Sequence, residues 1–198
     1  MRIIILSKAP VIGRVKTRLL PEYSAKQAAS LHKQMLKATV AKACGIFDDI
    51  WLAVDDDTHP YFAELQQTYN FELKMQHEGN LGMRLAKLCQ LSFAYDRSPV
   101  MFVGTDSPHI NPMRYMQAMR AIAQYDVVIG PVEDGGYDLI AMSDSYPELF
   151  AGIHWGTDKV FRQTIHIINN IGLSVKVLDK SFDLDRAQDL WRAPPASW

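Results

Sequence analysis

The sequence predicts an α/β protein with a mainly parallel sheet flanked by helices, and three features predict it. Apolar runs of strand length recur throughout the 198 residues. Most of these runs are continuous rather than alternating, as strands buried on both faces are. Segments with helical spacing lie between them with short connections, the pattern of strand–helix–strand units. The length suits one domain, so residues 1–198 are read as a single unit.

The first run, Ile3–Leu6, follows Arg2 and passes at once into polar residues, so it reads as a strand and not as the apolar centre of a signal peptide. Ser24-Ala25-Lys26-Gln27 has the form of a capping box. It opens a long helix carrying Leu31, Met35 and Ala38, with Gly45 as its stop. Ile50–Val54 and Phe71–Met75 are the next strands, and Leu81–Ala94 a helix. Val100–Val103 is a strand, followed by a helix over Pro112–Ala123 with proline in its first turn, where a missing N–H costs nothing. Val127–Ile129, Leu139–Met142 and Val175–Leu178 complete the strands. The tail Ala193-Pro194-Pro195-Ala196-Ser197-Trp198 is expected to fray. No repeat, low-complexity stretch or linker interrupts the chain.

Composition narrows the function. Hydrophobic residues make up 48% and charged residues 22%, ordinary for a chain that buries a core. The net charge is −1, so no global field attracts nucleic acid or an acidic membrane, and any bound anion must be held by local charge. Cys44 and Cys89 are far apart and form no CxxC pair, which argues against a disulfide framework and a zinc site and fits a reducing compartment. No apolar run approaches the roughly 20 residues that span a bilayer. The expected location is the cytoplasm.

In open α/β sheets ligands bind at the carboxyl ends of strands, so the loops that follow strands are where chemistry is sought. The first of them runs from Lys8 to Leu19 and holds Lys8, Arg14, Lys16 and Arg18 with no acid. Gly13 lets backbone approach a ligand, and Lys16 and Arg18 can clamp phosphate oxygens; the bland alternative is a solvated basic turn. The chain contains neither GxxxxGK[ST] nor GxGxxG, which removes the two commonest nucleotide sites. Asp106, at the tip of Val100–Val103 and followed by Pro108, is placed to hold a hard cation or to cap the next helix. Asp183 and Asp185 sit at alternate positions between the last strand and a helix, where Asp185 is a second metal candidate or a helix cap. Mg²⁺ on a nucleotide takes about one or two protein carboxylates, a count that Asp106 and Asp185 satisfy.

These segments together resemble a known family. The matching pieces are Lys8-x-Pro10-x-x-Gly13-x-Val15-Lys16-Thr17-Arg18-Leu19, Gln76-x-x-Gly79-Asn80-Leu81-Gly82-x-Arg84, Gly104-Thr105-Asp106-Ser107-Pro108, Gly130-Pro131-x-x-Asp134-Gly135-Gly136-Tyr137, Trp155-Gly156-Thr157 and Asp183-Leu184-Asp185. They resemble the GT-A-fold, nucleotide-diphospho-sugar transferase-like family known as the radical-SAM/selenodomain-associated "transferase 1" group. They are more distantly similar to phospholactate and molybdenum-cofactor guanylyltransferases. The resemblance covers nearly the whole chain and implies a GT-A fold. It also implies a nucleotide-phosphate site at Lys8, Pro10, Gly13, Lys16 and Arg18. Gln76, Gly79 and Gly82 match the segment facing base and ribose, Asp106 the metal aspartate, and Asp185 the second acidic position. Two departures stand out: Asn80, where the family commonly has an acid, and Asp138, often a second aromatic in the family.

Asp134, Gly135, Gly136 and Tyr137 open another strand and can contact an acceptor; a plain glycine hairpin is the alternative. Trp155 and Thr157 precede a helix, where a stacked ligand competes with a packed tryptophan and a capping threonine. Asp55-Asp56-Asp57 reads as a solvated turn, because adjacent carboxylates repel and point apart. The six histidines show no metal spacing and none looks like a catalytic base.

The leading expectation is nucleotidyl transfer from a nucleoside triphosphate to a small acceptor with release of pyrophosphate, assisted by Mg²⁺ or Mn²⁺, with Lys16, Arg18 and Asp106 as the catalytic residues. Glycosyl transfer from an NDP-sugar is the second, disfavoured because Asp106 stands in a D-x-P rather than a D-x-D context. Nucleotide binding without turnover is the third.

Overall fold

The computed structural model describes residues 1–20 and 22–198. Seven strands form one sheet: β1 (Arg2–Ser7), β2 (Ile50–Val54), β3 (Glu72–Met75), β4 (Val100–Val103), β5 (Val127–Pro131), β6 (Tyr137–Met142) and β7 (Val175–Val177). Their order is β3-β2-β1-β4-β6-β5-β7. Every pairing is parallel except those of β6, which runs antiparallel to β4 and β5. Helices α1 (Ala25–Cys44), α2 (Pro60–Gln66), α3 (Leu81–Tyr95), α4 (Pro112–Ala121), α5 (Val160–Asn170) and α6 (Asp189–Arg192) surround it. This is the predicted α/β architecture.

Alternation along the strands divides the core into two layers. Ile3, Ile5, Leu52, Val54, Met101 and Val103 face Leu36, Val40, Phe62 and Tyr115. Ile4, Trp51, Ala53, Phe102, Ile140 and Met142 face Leu85, Leu88 and Ile168. Strands β2, β4 and β5 are buried along their whole length and β1 and β6 at all but one residue each, whereas β3 and β7, with one neighbour each, are partly exposed, so the expectation of burial on both faces fails at the sheet's edges. The Ser24–Gln27 capping box is present, with Gly45 as the C-cap. Helix α2 is an element that the sequence reading did not place. It spans only 7 residues, and tertiary burial of Tyr61, Phe62 and Leu65 holds it rather than a long periodic face.

A third, small cluster of Leu19, Leu31, Met35, Leu184 and Leu190 binds the loop after β1 to α1 and to the C-terminal segment. Leu19 and Leu184 are fully buried, so the residues beside them are anchored. The tail does not fray: Trp198 Nε1 donates to the Ala193 carbonyl at 2.9 Å and its ring packs on this cluster. Among the described residues no helix is long and apolar enough to cross a membrane.

Candidate active site

The loop after β1 ends in a 3-10 turn, Thr17–Leu19, entered through Lys16 in the left-handed conformation, φ 49° and ψ 39°. It is the one non-glycine residue with positive φ among the described residues, in a region that costs an L-residue roughly 1–2 kcal/mol. The side chain shows why the cost is tolerated. Its ammonium lies 2.9 Å from Asp106 Oδ1 and 3.0 Å from Asp185 Oδ1, and donates to the Leu184 carbonyl at 2.8 Å. Arg18 holds the other oxygen of Asp185 at 2.8 Å. Burial works against the Lys16 charge, but the two carboxylates outweigh it and raise its pKa. Burial likewise opposes ionisation of Asp106, and Lys16 reverses that, holding the carboxyl below its ordinary value.

Asp106 and Asp185 thus converge on one point although they lie in different loops. Leu184 N donates to the Asp106 carbonyl at 2.7 Å, and Ser107 Oγ donates to the Phe182 carbonyl at 3.0 Å and to the Asp183 carboxylate. Neither aspartate is a helix cap. Asn111 caps α4, and ahead of α6 it is Asp189 that accepts from the backbone N–H groups of Asp185 and Arg186. Burial pushes the Asp183 carboxyl up to about 7; the Ser107 hydrogen bond opposes this, and Asp106, Asp134 and Asp185 add to it.

Two cavities meet at this point. The first, about 430 Å³, is lined by Lys8, Arg14, Lys16, Arg18, Gln76, Arg84, Asp106 and Asp185. All four cations of the first loop therefore face one space. The second, about 470 Å³, is lined by Asp134, Gly136, Tyr137, Trp155, Thr157, Asp158, Asp183 and Arg186. Arg18, Asp106 and Asp185 belong to both walls.

Several expected residues serve as frame rather than lining. Pro10, Gly13, Gly79 and Gly82 do not line the first cavity. Gly13 and Gly79 turn the backbone at φ 82° and 110°. A Cβ on Gly82 would lie 2.3 Å from the Phe150 carbonyl oxygen and 2.6 Å from Trp155 Nε1. Gly82→Ala is therefore expected to cost about 1–3 kcal/mol, read as a lowered urea midpoint; an unchanged midpoint would remove this packing role. Gly135 also lies off the second wall, because its backbone is pressed against Asp158. The Gln76 amide nitrogen is spent on the Ser7 and Ala53 carbonyls at 3.1 and 2.7 Å, and its oxygen accepts from Arg84 at 3.3 Å. Asn80 caps α3 by accepting from Met83 N, a role its amide oxygen fills without charge. Thr157 does not cap α5; it closes the preceding turn by donating to the His154 carbonyl. The Asp55-Asp56-Asp57 turn is largely solvated, as expected, and Asp55 also accepts from Ala9 N at 2.6 Å and so braces the cationic loop.

Sequence reasoning gave no role to Arg84, although it stands in a matching segment, and missed His32. Arg84 reaches the cavity from α3 and donates to the Gly79 carbonyl at 2.9 Å. His32, buried on α1, contacts the Lys8 carbonyl at 3.0 Å, and burial lowers its pKa. Its place on the apolar face of α1 was the available signal. Asp138 is absorbed by an ion pair, with Arg114 Nε 3.0 Å from its Oδ2.

Among the described residues no three histidine, cysteine or acidic side chains form a metal cluster by themselves. Asp106 and Asp185 nonetheless suit a hard cation. They present convergent carboxylate oxygens to a position already taken by a positive charge, and a nucleotide's phosphates would supply the rest.

A family model described as "uncharacterized protein conserved in bacteria (DUF2064)" matches residues 33–157. No curated protein matches the chain. A crystal structure from Desulfovibrio desulfuricans G20, described provisionally as a nucleotide-diphospho-sugar transferase, is 28% identical, with a TM-score of 0.86 over 93% of this chain and 82% of its own. CMP:2-keto-3-deoxy-manno-octonic acid synthetase complexed with CTP is 12% identical, with a TM-score of 0.62 over 98% of this chain and 96% of its own. 4-Diphosphocytidyl-2C-methyl-D-erythritol synthase from Anaerococcus prevotii DSM 20548 is 10% identical, with a TM-score of 0.60 over 98% of this chain and 94% of its own. The last two likenesses are of fold alone.

Proposed function

Because the chain belongs to the DUF2064 family and has a nucleotide-diphospho-sugar transferase-like fold, we propose that it is a nucleotidyltransferase. It moves a nucleoside monophosphate from a triphosphate to a small acceptor and releases pyrophosphate. One observation carries this reading: Lys8, Arg14, Lys16 and Arg18, with Arg84, line a single cavity that opens onto Asp106 and Asp185 and onto a second cavity beyond them.

The chemistry follows from the placement. The first cavity takes the triphosphate, whose charge its cations neutralise. An acceptor oxygen in the second cavity attacks the α-phosphorus, and the bond to the bridging oxygen breaks. Lys16, in the first cavity, and Arg18, at the boundary, stabilise the negative charge that gathers on the leaving pyrophosphate. Asp106 and Asp185 would hold Mg²⁺ or Mn²⁺, which supplies charge neutralisation at the reacting phosphate. No covalent intermediate is needed. The synthetase of the same fold that binds CTP supports a triphosphate here.

Glycosyl transfer from an NDP-sugar is the second reading, favoured by the description of the D. desulfuricans structure. Charge separates the two. A triphosphate carries about four negative charges, of which one Mg²⁺ cancels about two, and a loop rich in cations suits the remainder better than it suits a diphosphate. Calorimetry with GTP, CTP, UTP, ATP and several NDP-sugars in Mg²⁺ is expected to show at least one triphosphate binding more tightly than its matching NDP-sugar. Tighter binding of an NDP-sugar, with no triphosphate bound, would transfer the assignment to glycosyl transfer. A triphosphate that binds without pyrophosphate release to any acceptor would favour a non-catalytic nucleotide-binding protein.

A further inference from the structure

The second cavity differs in charge from the first. Its wall is built where two segments dock: a Cβ on Gly135 would lie 2.2 Å from the Asp158 carbonyl oxygen, and Phe161 N donates to the Gly135 carbonyl at 2.8 Å. This docking brings Asp134 and Asp158 onto the wall of one cavity, which Asp183 also lines. Against these three acids stands Arg186; Arg18, at the edge, is held by Asp185. The apolar part of the wall includes Tyr137 and Trp155, edge to face with ring centroids 6.3 Å apart.

We infer that the acceptor is a non-anionic polyhydroxylated compound, a neutral polyol or an amino polyol, and that Asp134 and Asp158 exclude its phosphorylated and carboxylated counterparts. This rests on the nucleotidyl-transfer reading. An anion entering this cavity would meet the carboxylates of Asp134 and Asp158 with one arginine to offset them, whereas the cavity next door shows the cations that phosphate needs. Carboxylates accept hydrogen bonds from hydroxyl groups, and aromatic rings receive the C–H face of a cyclic polyol. The step balances: the hydroxyl oxygen forms its bond to the α-phosphorus, pyrophosphate leaves with the electron pair, and the hydroxyl proton passes to solvent.

Trp155 reports on the cavity without any substrate. Its emission, taken as the difference between the parent and Trp155→Phe, is titrated at low ionic strength with caesium and with iodide, each normalised to free N-acetyltryptophanamide. Caesium is expected to quench at least about three-fold more steeply than iodide, and the double variant Asp134→Asn, Asp158→Asn to lose that preference. Iodide quenching as steep as caesium quenching overturns the inference, whether or not a nucleotide binds. Pyrophosphate release with a triphosphate and Mg²⁺ is then compared for inositol and glucosamine against inositol 1-phosphate and glucosamine 6-phosphate. The unphosphorylated compounds are expected to be preferred by at least about ten-fold. Preference for a phosphorylated member overturns the inference and leaves nucleotidyl transfer standing. Failure of every triphosphate to bind in calorimetry sinks the nucleotidyl-transfer reading, and the quenching result stands apart from it.

Discussion

Lys16→Met is expected to lower kcat for pyrophosphate release by about 10²–10³-fold, the scale on which an enzyme loses a donor aimed at charge that develops in the transition state. Lys16 is nearly fully buried, at 5% side-chain exposure, lines the cationic cavity and holds Asp106 and Asp185, which line both cavities. No neighbouring cation replaces it: Arg18 reaches Asp185 from the solvent side, and its side chain is 58% exposed. Fold stability should change little by comparison, because Asp106 and Asp185 stay partly exposed, at 46% and 26%, and Arg18 still holds Asp185. A second measurement separates a site role from a structural one. The Lys16 ammonium occupies the point on which both carboxylates converge, so its removal should raise the affinity for Mn²⁺ measured without nucleotide, even as turnover falls. A variant with parental kcat would show that Lys16 is only a strut between Asp106 and Asp185.

The sequence made the sheet legible because a strand buried on both faces must be a short continuous apolar run, and Ile3–Leu6, Ile50–Val54 and Val100–Val103 are such runs. It also pointed to the cationic loop and the two acidic loops, since loops after strands gather at one edge of an α/β sheet. What it could not show was pairing. Lys16 and Asp185 are 169 positions apart, and no local pattern announces that one ammonium is shared between Asp185 and Asp106. The glycines misled for a related reason. Gly82 belongs to a segment that the resemblance turns towards base and ribose, and Gly135 to one that can contact an acceptor, yet what approaches them is Phe150 with Trp155 in one case and Asp158 in the other. Close approach by protein and by ligand leave the same mark on a sequence.

Arg114→Met should cost about 3–5 kcal/mol of stability at neutral pH, the scale of breaking a buried ion pair by removing one partner. Asp138 lies on β6 with its side chain 1% exposed, and Arg114 on α4 reaches it across the place where Gly130 has no side chain. A Cβ on Gly130 would fall 2.4 Å from Asp138 Oδ1 and 2.6 Å from Arg114 Nη2. Arg114 also donates to the Asp179 carbonyl at 2.7 Å, so the pair ties α4 to the segment that leads to the acidic dyad. Burial pushes the Asp138 carboxyl from 3.8 up to about 6, even with Arg114 beside it. An acid whose pKa is raised by folding binds more protons in the folded state, so its contribution to stability falls as pH rises from about 4 through 6. Without Arg114 the carboxylate has no counter-charge, and the penalty grows over that window and above it. Urea unfolding of parent and variant should therefore differ most at pH 7.5 and least at pH 4.5, where Asp138 is protonated and the loss is confined to the arginine's packing and its bond to the Asp179 carbonyl. Adding Asp138→Asn to the variant should recover much of the loss at pH 7.5 and little at pH 4.5. Equal losses at both pH values, or no recovery with asparagine, would mean that the arginine contributes by packing and by its bond to Asp179 and not by charge.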